Sequence, residues 1–259
     1  MPSFSPLSCF LNCGLIGLLL APALGCRDVD NSSELRITDE LAAEVSRGSL
    51  MLGALAAELA LNVSAPPAMS SCPITFQEQD DLSLDYGAGC VSESGLFELG
   101  LSGSVSLTLA GGSGVFVGEI HSLGFPDLPV LGNVSGQVSR AGDLVTADIE
   151  FSTLTWTDDG LDNSFDGLFE ISLDGEDILI NVASASLVRG AVPEFRIDLE
   201  DIIPAPMSLG ACWIPAEGQI VLEREAASAT LSYSEVAYAT GEVPVAYGSR
   251  EPVSLEPCR

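Results

Sequence analysis

The sequence predicts a mainly β protein: one large antiparallel, curved sheet of about a dozen strands, with one N-terminal helix packed on it. Two observations predict this class. After residue 70, apolar and polar residues alternate with a period of two, which is typical of strands with one buried and one solvated face. Before that point, one long segment has the period of a helix. A meander, a half-barrel and a sandwich remain open as arrangements of the sheet.

The helix is predicted over residues 38–62. Thr38 is the expected N-cap, and Asp39 and Glu40 suit the positive end of the helix dipole. The sequence Ala65-Pro66-Pro67 ends the helical region, because proline cannot continue a helix. We expect a single helix, with no second helix of any length.

An apolar stripe runs along this helix at spacings of three and four: Leu41, Val45, Gly48, Leu52, Leu55 and Leu59. From Leu50 to Leu61 the only charged residue is Glu58, so this half needs cover on more than one side. Packing against a curved sheet as core is the favoured interpretation. The alternative is that Leu50–Leu61 lines a cavity for an apolar ligand.

Period-two alternation is clearest around residues 99–109, 145–151 and 194–200. At Thr153 the alternation shifts by one residue: the apolar residues before it have odd numbers, whereas Leu154 has an even number. A bulge or strand end is therefore expected there. Further strands are predicted over residues 114–120, 129–138, 218–225, 229–238 and 243–248.

The Asp-Gly pair in Leu173-Asp174-Gly175-Glu176 predicts a two-residue hairpin. In the register that this turn sets, Ile171 opposes Ile178 and Phe169 opposes Ile180. Both pairs then lie on one face of the sheet.

Cys72 and Cys90 flank a second predicted hairpin with an acidic turn. If these cysteines oppose each other, Phe76 opposes Tyr86, and Ile74 shares their apolar face. This short separation suits a disulfide, so the register predicts a Cys72–Cys90 bridge.

The ending Asp85-Tyr86-Gly87-Ala88-Gly89-Cys90 resembles that of uncharacterised exported bacterial proteins, especially lipoproteins, with a Cys…Asp-(Phe/Tyr)-Gly-x-Gly-Cys hairpin. The resemblance covers only this hairpin. It implies export and transfers no activity.

Residues 1–25 carry no charge and have the apolar core and small residues of a signal peptide. Ala23-Leu24-Gly25-Cys26 resembles a bacterial lipobox, which implies that Cys26 is diacylated and begins the mature protein. Arg27 after the cysteine then implies sorting to the outer membrane, and residues 26–37 form a tether. The alternative is ordinary secretory cleavage that leaves Cys26 a free thiol.

With the leader removed and Cys26 acylated, four cysteines remain in an oxidising compartment. Cys212–Cys258 follows as the second disulfide by elimination. Residues 38–259 are predicted to form one domain, because no linker divides them.

The composition excludes several classes of function. The chain has 37 acidic and 9 basic residues and a net charge of −28, so it repels nucleic acid. Lysine is absent, which excludes Schiff-base chemistry, and His121 alone cannot build a multi-histidine zinc site. We expect no cofactor. Trp156 and Trp213 are interpreted as packing residues rather than a sugar-stacking platform.

An acidic segment from Asp158 to Asp166 is a weak calcium candidate. From Asp162 it matches the first half of an EF-hand loop, but Leu173 stands where a bidentate glutamate is required, so it is not an EF-hand. A looser site that uses Asp158, Asp162 and Asp166 remains an alternative to a solvated turn.

The sequence therefore favours a membrane-anchored, exported lipoprotein with a non-catalytic structural or binding role, its partner unspecified. One alternative is a carrier or chaperone for an apolar ligand or lipid. The other is a hydrolase that uses carboxylates, which are too numerous for the sequence to single out one pair.

Overall fold

A computed structural model describes residues 37–65, 72–91, 100–110, 114–125, 128–158, 160–174, 177–190, 192–203, 215–248 and 253–255. Helix α1 comes first, and thirteen strands follow in one antiparallel sheet whose spatial order is the order of the chain. A short helix, α2, lies between β11 and β12. The bounds are α1 Asp39–Ser64, β1 Ile74–Glu78, β2 Asp81–Val91, β3 Gly100–Leu109, β4 Val115–Phe125, β5 Leu128–Ala141, β6 Leu144–Asp158, β7 Leu161–Asp174, β8 Asp177–Arg189, β9 Val192–Ile203, β10 Glu217–Arg224, β11 Ala227–Tyr233, α2 Glu235–Thr240, β12 Val243–Ala246 and β13 Val253–Leu255.

The predicted fold class is confirmed, and the sheet is a single meander that curls around α1. Near the end of α1, Asn62 contacts Tyr86 in β2. Near its start, Ser46 faces Tyr233 in β11. Strands that lie nine positions apart in the sheet therefore contact the same helix, which requires strong curvature.

Thr38 is confirmed as the N-cap of α1, since its Oγ1 accepts a hydrogen bond from the Leu41 amide at 3.2 Å. The helix ends at Ser64, just before the two prolines. Every side chain from Ala54 to Ala60 is buried. The favoured interpretation of Leu50–Leu61 as core is therefore borne out.

Small residues let α1 approach the sheet closely. A Cβ added at Gly53 would lie 3.3 Å from Cγ2 of Ile180 and 3.4 Å from Cε1 of Phe169. Alanines occupy four of the next seven positions. The curved sheet thus encloses a narrow helix without a gap at this level.

The bulge predicted at Thr153 is present, and it is one of a series across the sheet. Thr153 has φ +53, and the β6–β7 register shifts between Phe151 and Leu154. Similar bulges pair a non-glycine residue of positive φ with a glycine on the neighbouring strand: Ser122 with Gly103, Thr153 with Gly132 and Asp201 with Gly218. Bulges bend a sheet and increase its twist, so this series supports the curvature around α1.

Glycine is required in these pairs because the strands approach closely. A Cβ at Gly103 would lie 2.1 Å from the Ser122 carbonyl oxygen, and one at Gly218 would lie 2.6 Å from that of Asp201. Both glycines also have positive φ. Any side chain there would combine a backbone clash with an unfavourable conformation.

The predicted register of the β7–β8 hairpin is wrong by two residues. Ile171 pairs with Ile180 rather than with Ile178, and Asp174 pairs with Asp177. The observed register also pairs Leu173 with Ile178, so every buried apolar residue near the turn faces another. A shift of two keeps each side chain on its predicted face.

The predicted orientation of β1 is also wrong. Phe76 pairs with Ser83 rather than with Tyr86, because the turn between β1 and β2 contains only two residues. Ile74 and Phe76 therefore point outward and are more than half exposed, while Thr75 is buried.

Helix α2 corrects two further expectations. Residues 234–238 were predicted as the end of a strand, and no second helix was expected. Ser234 instead caps α2 by accepting a hydrogen bond from the Ala237 amide at 3.3 Å. Gly241, with φ +74, ends the helix in the left-handed conformation.

Candidate functional site

Several predicted site residues lie outside the described residues: Cys26, Cys212 and Cys258, together with Trp213. Acylation of Cys26 and the Cys212–Cys258 disulfide therefore stay predictions.

The Cys72–Cys90 disulfide is confirmed, with a Cα–Cα distance of 6.0 Å. It forms although the register that predicted it is wrong. Register shifts between Asp85 and Cys90, with positive φ at Gly87 and Gly89, redirect the end of β2. This irregularity brings Cys90 to Cys72 at the edge of the sheet.

The weak calcium candidates do not converge where the structure describes them. The Asp162 carboxylate accepts a hydrogen bond from Thr157 Oγ1 at 3.0 Å, and that of Asp166 accepts one from the Thr153 amide at 2.7 Å. Four residues apart on an extended strand, these carboxylates are separated by roughly 13 Å. The side chain of Asp158 is outside the described part, and within that part no group of three or more His, Cys, Asp or Glu could hold a metal.

Two carboxylates do lie side by side on the outer face of the sheet. Asp148 in β6 is directly opposite Glu170 in β7, and Asp148 accepts a hydrogen bond from Gln137 Nε2 at 2.6 Å. Both line an open trough of about 440 Å³. His121 lies elsewhere on this face, with Nε2 3.9 Å from Glu119.

A second space, which we call the helix–sheet cavity, lies between the first half of α1 and strands β5 to β8. Its volume is about 230 Å³. Apolar side chains form most of its wall, among them Met51, Trp156, Phe165 and Leu187. Its polar lining consists of Glu44, Arg47, Ser49, Asn163 and Arg189.

An ion pair joins the two sides of the helix–sheet cavity. Arg189 Nη2 at the end of β8 lies 3.0 Å from Glu44 Oε2 on α1. The Arg189 side chain is only 14% exposed, so the pair is shielded from solvent on one side. It fixes the distance between helix and sheet at the cavity wall.

Asn163 is a buried polar residue beside this cavity. The residue is 3% exposed, and its Nδ2 donates to the Leu161 carbonyl at 3.0 Å. Its Oδ1 is buried and has no hydrogen-bond partner among the residues that the structure describes. An unpaired buried acceptor of this kind costs about 1–3 kcal/mol of folding free energy.

A polar cluster lies deeper, where the second half of α1 meets β2. Asn62 Nδ2 donates to Glu58 Oε1 at 2.8 Å and contacts the Tyr86 hydroxyl at 3.4 Å. Burial raises the pKa of Tyr86 well above its usual value, the Glu58 carboxylate raises it further, and the Asn62 contact partly offsets this. The cluster is enclosed in the core, so we assign it to internal packing.

Sequence reasoning did not find the helix–sheet cavity. Trp156 was interpreted as a packing residue, and it does pack against the core while also lining the cavity. Arg47 and Arg189 are far apart in sequence and belong to no motif. Only the curl of the sheet over α1 brings them together, and the hydrophobic pattern does not encode how far the sheet curls.

Comparison of the chain with protein-family models, with curated proteins and with solved structures finds no match. Within the described residues, no helix has both the length and the apolar character that crossing a membrane requires.

Proposed function

We propose that this protein is an exported lipoprotein, anchored to the outer membrane through acylated Cys26, whose folded domain has a non-catalytic binding or structural role. The observation that carries the proposed role of the domain is that α1 occupies the interior of the curled sheet. Side chains from Ala54 to Ala60 are buried, and Gly53 lies against Phe169 and Ile180.

This packing disfavours the carrier alternative. Pockets that enclose a drug-sized or larger ligand have volumes of about 300–1,000 Å³. From Gly53 onward the core side chains themselves occupy the space between helix and sheet. The helix–sheet cavity reaches only Met51 and Leu52 of the segment Leu50–Leu61, and its volume of about 230 Å³ is below that range. A lipid could enter there only by displacing α1.

Support for the anchor comes from the sequence. Gly25-Cys26 follows an uncharged apolar run, and an acidic segment begins directly after it. Residues 26–37 span at most about 40 Å, so the domain would stay near the membrane surface. Acyl chains also account for a cysteine with no evident partner.

Membrane fractionation of the protein in a bacterial host that acylates lipoproteins tests the anchor. Wild-type protein should be in the membrane fraction, and a Cys26→Ser variant should be released. Ser32→Ala, in the same segment, is the matched control and should behave as wild type. A Cys26→Ser variant that stays in the membrane fraction would contradict the anchor.

The Asp148–Glu170 pair is the specific observation that favours the hydrolase alternative. We expect no turnover when the purified domain is screened against glycosidase, esterase, phosphatase and peptidase substrates. The contrary result would be turnover that Glu170→Gln abolishes without unfolding the protein. Glu200→Gln, on the same face of β9, is the control for that variant.

A further inference from the structure

We infer that an apolar patch beside the first turns of α1 rests on the membrane surface, and that its partner is a zwitterionic lipid layer. The inference rests on the proposed anchor at Cys26, and it adds which face of the domain meets the lipid. Three observations carry it: the contiguity of the patch, its charge, and its place relative to the N-terminal segment.

The patch, which we call the Trp156 patch, surrounds an open groove of about 590 Å³ where β5 and β7 begin and β6 and β8 end. Leu131 is 50% exposed and Leu161 is 41% exposed. Leu161 borders the groove, because its Cδ2 would lie 3.2 Å from a Cβ added at Gly190 in the groove wall. A lone exposed leucine is normal on a soluble protein, whereas a contiguous apolar patch marks a contact surface. The apolar members of the patch are Pro129, Leu131, Trp156, Leu161 and Val188.

The Trp156 patch carries little of the charge that covers the domain. Among the residues that the structure describes, Asp162 is the one charged residue in the groove wall. Its carboxylate accepts a hydrogen bond from Thr157 Oγ1 at 3.0 Å. A chain of net charge −28 is repelled by anionic lipids, whereas phosphatidylcholine and phosphatidylethanolamine have no net charge. The patch therefore suits a zwitterionic lipid layer.

The Trp156 patch lies close to the point where the N-terminal segment leaves the domain. Arg189 stands between two residues of the groove wall, and its Nη2 lies 3.0 Å from Glu44 Oε2 on α1. Asp39, the first residue of α1, is about 8 Å from Glu44 along the helix axis. Residues 26–37 add at most about 40 Å of chain. A membrane that holds the anchor is thus within reach of the patch.

The anchor makes a weak contact sufficient. An attached domain meets the lipid at a high effective concentration, so the patch need not bind free vesicles strongly. Leucine side chains gain from transfer out of water, and the tryptophan ring prefers the interface between head groups and acyl chains. Trp156 is partly exposed in the groove wall. Its fluorescence therefore reports contact with lipid.

Fluorescence quenching in vesicles tests the inference. The full-length, acylated protein is purified from a bacterial host that acylates lipoproteins and is incorporated into phosphatidylcholine vesicles, with brominated acyl chains as the quencher. The chain has two tryptophans, so Trp213→Phe leaves Trp156 as the only reporter. We expect Trp156 to lose fluorescence in brominated vesicles relative to unbrominated ones. Flotation of the protein with the vesicles measures anchoring separately.

Paired substitutions localise the contact. Leu131→Ser combined with Leu161→Ser should reduce the ratio of docked to undocked domain at least about 10-fold, because two leucines no longer gain from leaving water. Quenching should then be lost while flotation is unchanged. Leu168→Ser is the matched control, since Leu168 is 40% exposed but lies opposite Glu150, outside the groove. Quenching of Trp156 should persist in this variant.

The lipid head group is tested in the same vesicles. Replacing part of the phosphatidylcholine with phosphatidylglycerol, at a constant fraction of brominated chains, should reduce the quenching, because the acidic domain is repelled by the anionic surface. Stronger quenching in these vesicles would overturn the assignment of a zwitterionic partner.

Two further results would overturn the docking of this face, and both differ from failure of the anchor. A protein that floats with the vesicles while Trp156 keeps its full fluorescence leaves the anchor standing and excludes the docking. Quenching that persists in the variant with both leucines replaced places the contact elsewhere. A protein that does not float contradicts the anchor itself, and the docking inference falls with it.

Discussion

Tyr86 and Tyr233 are buried tyrosines that lie against opposite ends of α1. Burial raises the pKa of both phenols above the usual value of about 10; the Glu58 carboxylate raises that of Tyr86 further, and the Ser46 contact partly offsets the effect at Tyr233. The unfolded chain releases these protons near pH 10, whereas the folded chain keeps them. The contribution of the two tyrosines to the free energy of unfolding is therefore fully present below about pH 10. It is lost progressively as the pH rises above that value.

We expect the free energy of unfolding to fall above pH 10 by up to about 1.4 kcal/mol per pH unit for each tyrosine. Urea unfolding between about pH 9 and 11 measures it. The Tyr86→Phe and Tyr233→Phe substitutions should each flatten the decline. Tyr238→Phe is the control, because Tyr238 is 48% exposed. An equally steep decline in the double variant would contradict this account.

At the scale of single elements, two glycines of α1 should respond in opposite ways to substitution. Gly53 packs against Ile180 and Phe169, so Gly53→Leu should destabilise the fold by about 1–3 kcal/mol through overpacking. Gly48 faces open space, so Gly48→Ala should stabilise it by about 0.5–1 kcal/mol through helix propensity. Urea unfolding of both variants measures the pair. Destabilisation by Gly48→Ala, or tolerance of Gly53→Leu, would show that α1 does not lie as described.

The disulfide of the first hairpin is the second element-scale test. Cys72 and Cys90 are 18 residues apart, and a bridge that closes a loop of this size contributes about 3 kcal/mol. The double variant Cys72→Ser, Cys90→Ser should therefore have a free energy of unfolding lower by about that amount, which appears as a lower midpoint in urea unfolding. An unchanged midpoint would mean that the bridge does not constrain the unfolded chain.

At the scale of the whole molecule, the fold class could be predicted because one face of each strand is buried, which imposes a period of two. Register could not, because a shift of two residues leaves that pattern intact, as Ile171 and Ile180 show. The orientation of β1 was missed because Ile74 and Phe76 are apolar yet exposed, against the rule that the pattern assumes. A single bulge was predicted at Thr153, but its counterparts depend on contacts between strands.

The candidate site could be predicted only where chemistry is local in sequence. The Cys72–Cys90 bridge closes a hairpin, and local spacing was enough to find it. Arg47, Asn163 and Arg189 come to line one cavity only because the sheet curls over α1. No short-range pattern marks such a cavity.

The pairing of the four cysteines that follow Cys26 is a prediction about the whole chain. Peptide mapping of the oxidised protein without reduction should find Cys72 linked to Cys90 and Cys212 linked to Cys258. The second bridge would attach the C-terminal end to the domain. A peptide that links Cys90 to Cys212 would refute this pairing.

Native mass spectrometry of the mature protein from its own host tests the central claim, a lipid-anchored domain whose interior is filled by α1, most directly. The account predicts a chain that begins at Cys26, carries acyl groups there, and retains no lipid-sized ligand in the folded domain. A chain with unmodified Cys26, or a non-covalent lipid that is released only on unfolding, would contradict it.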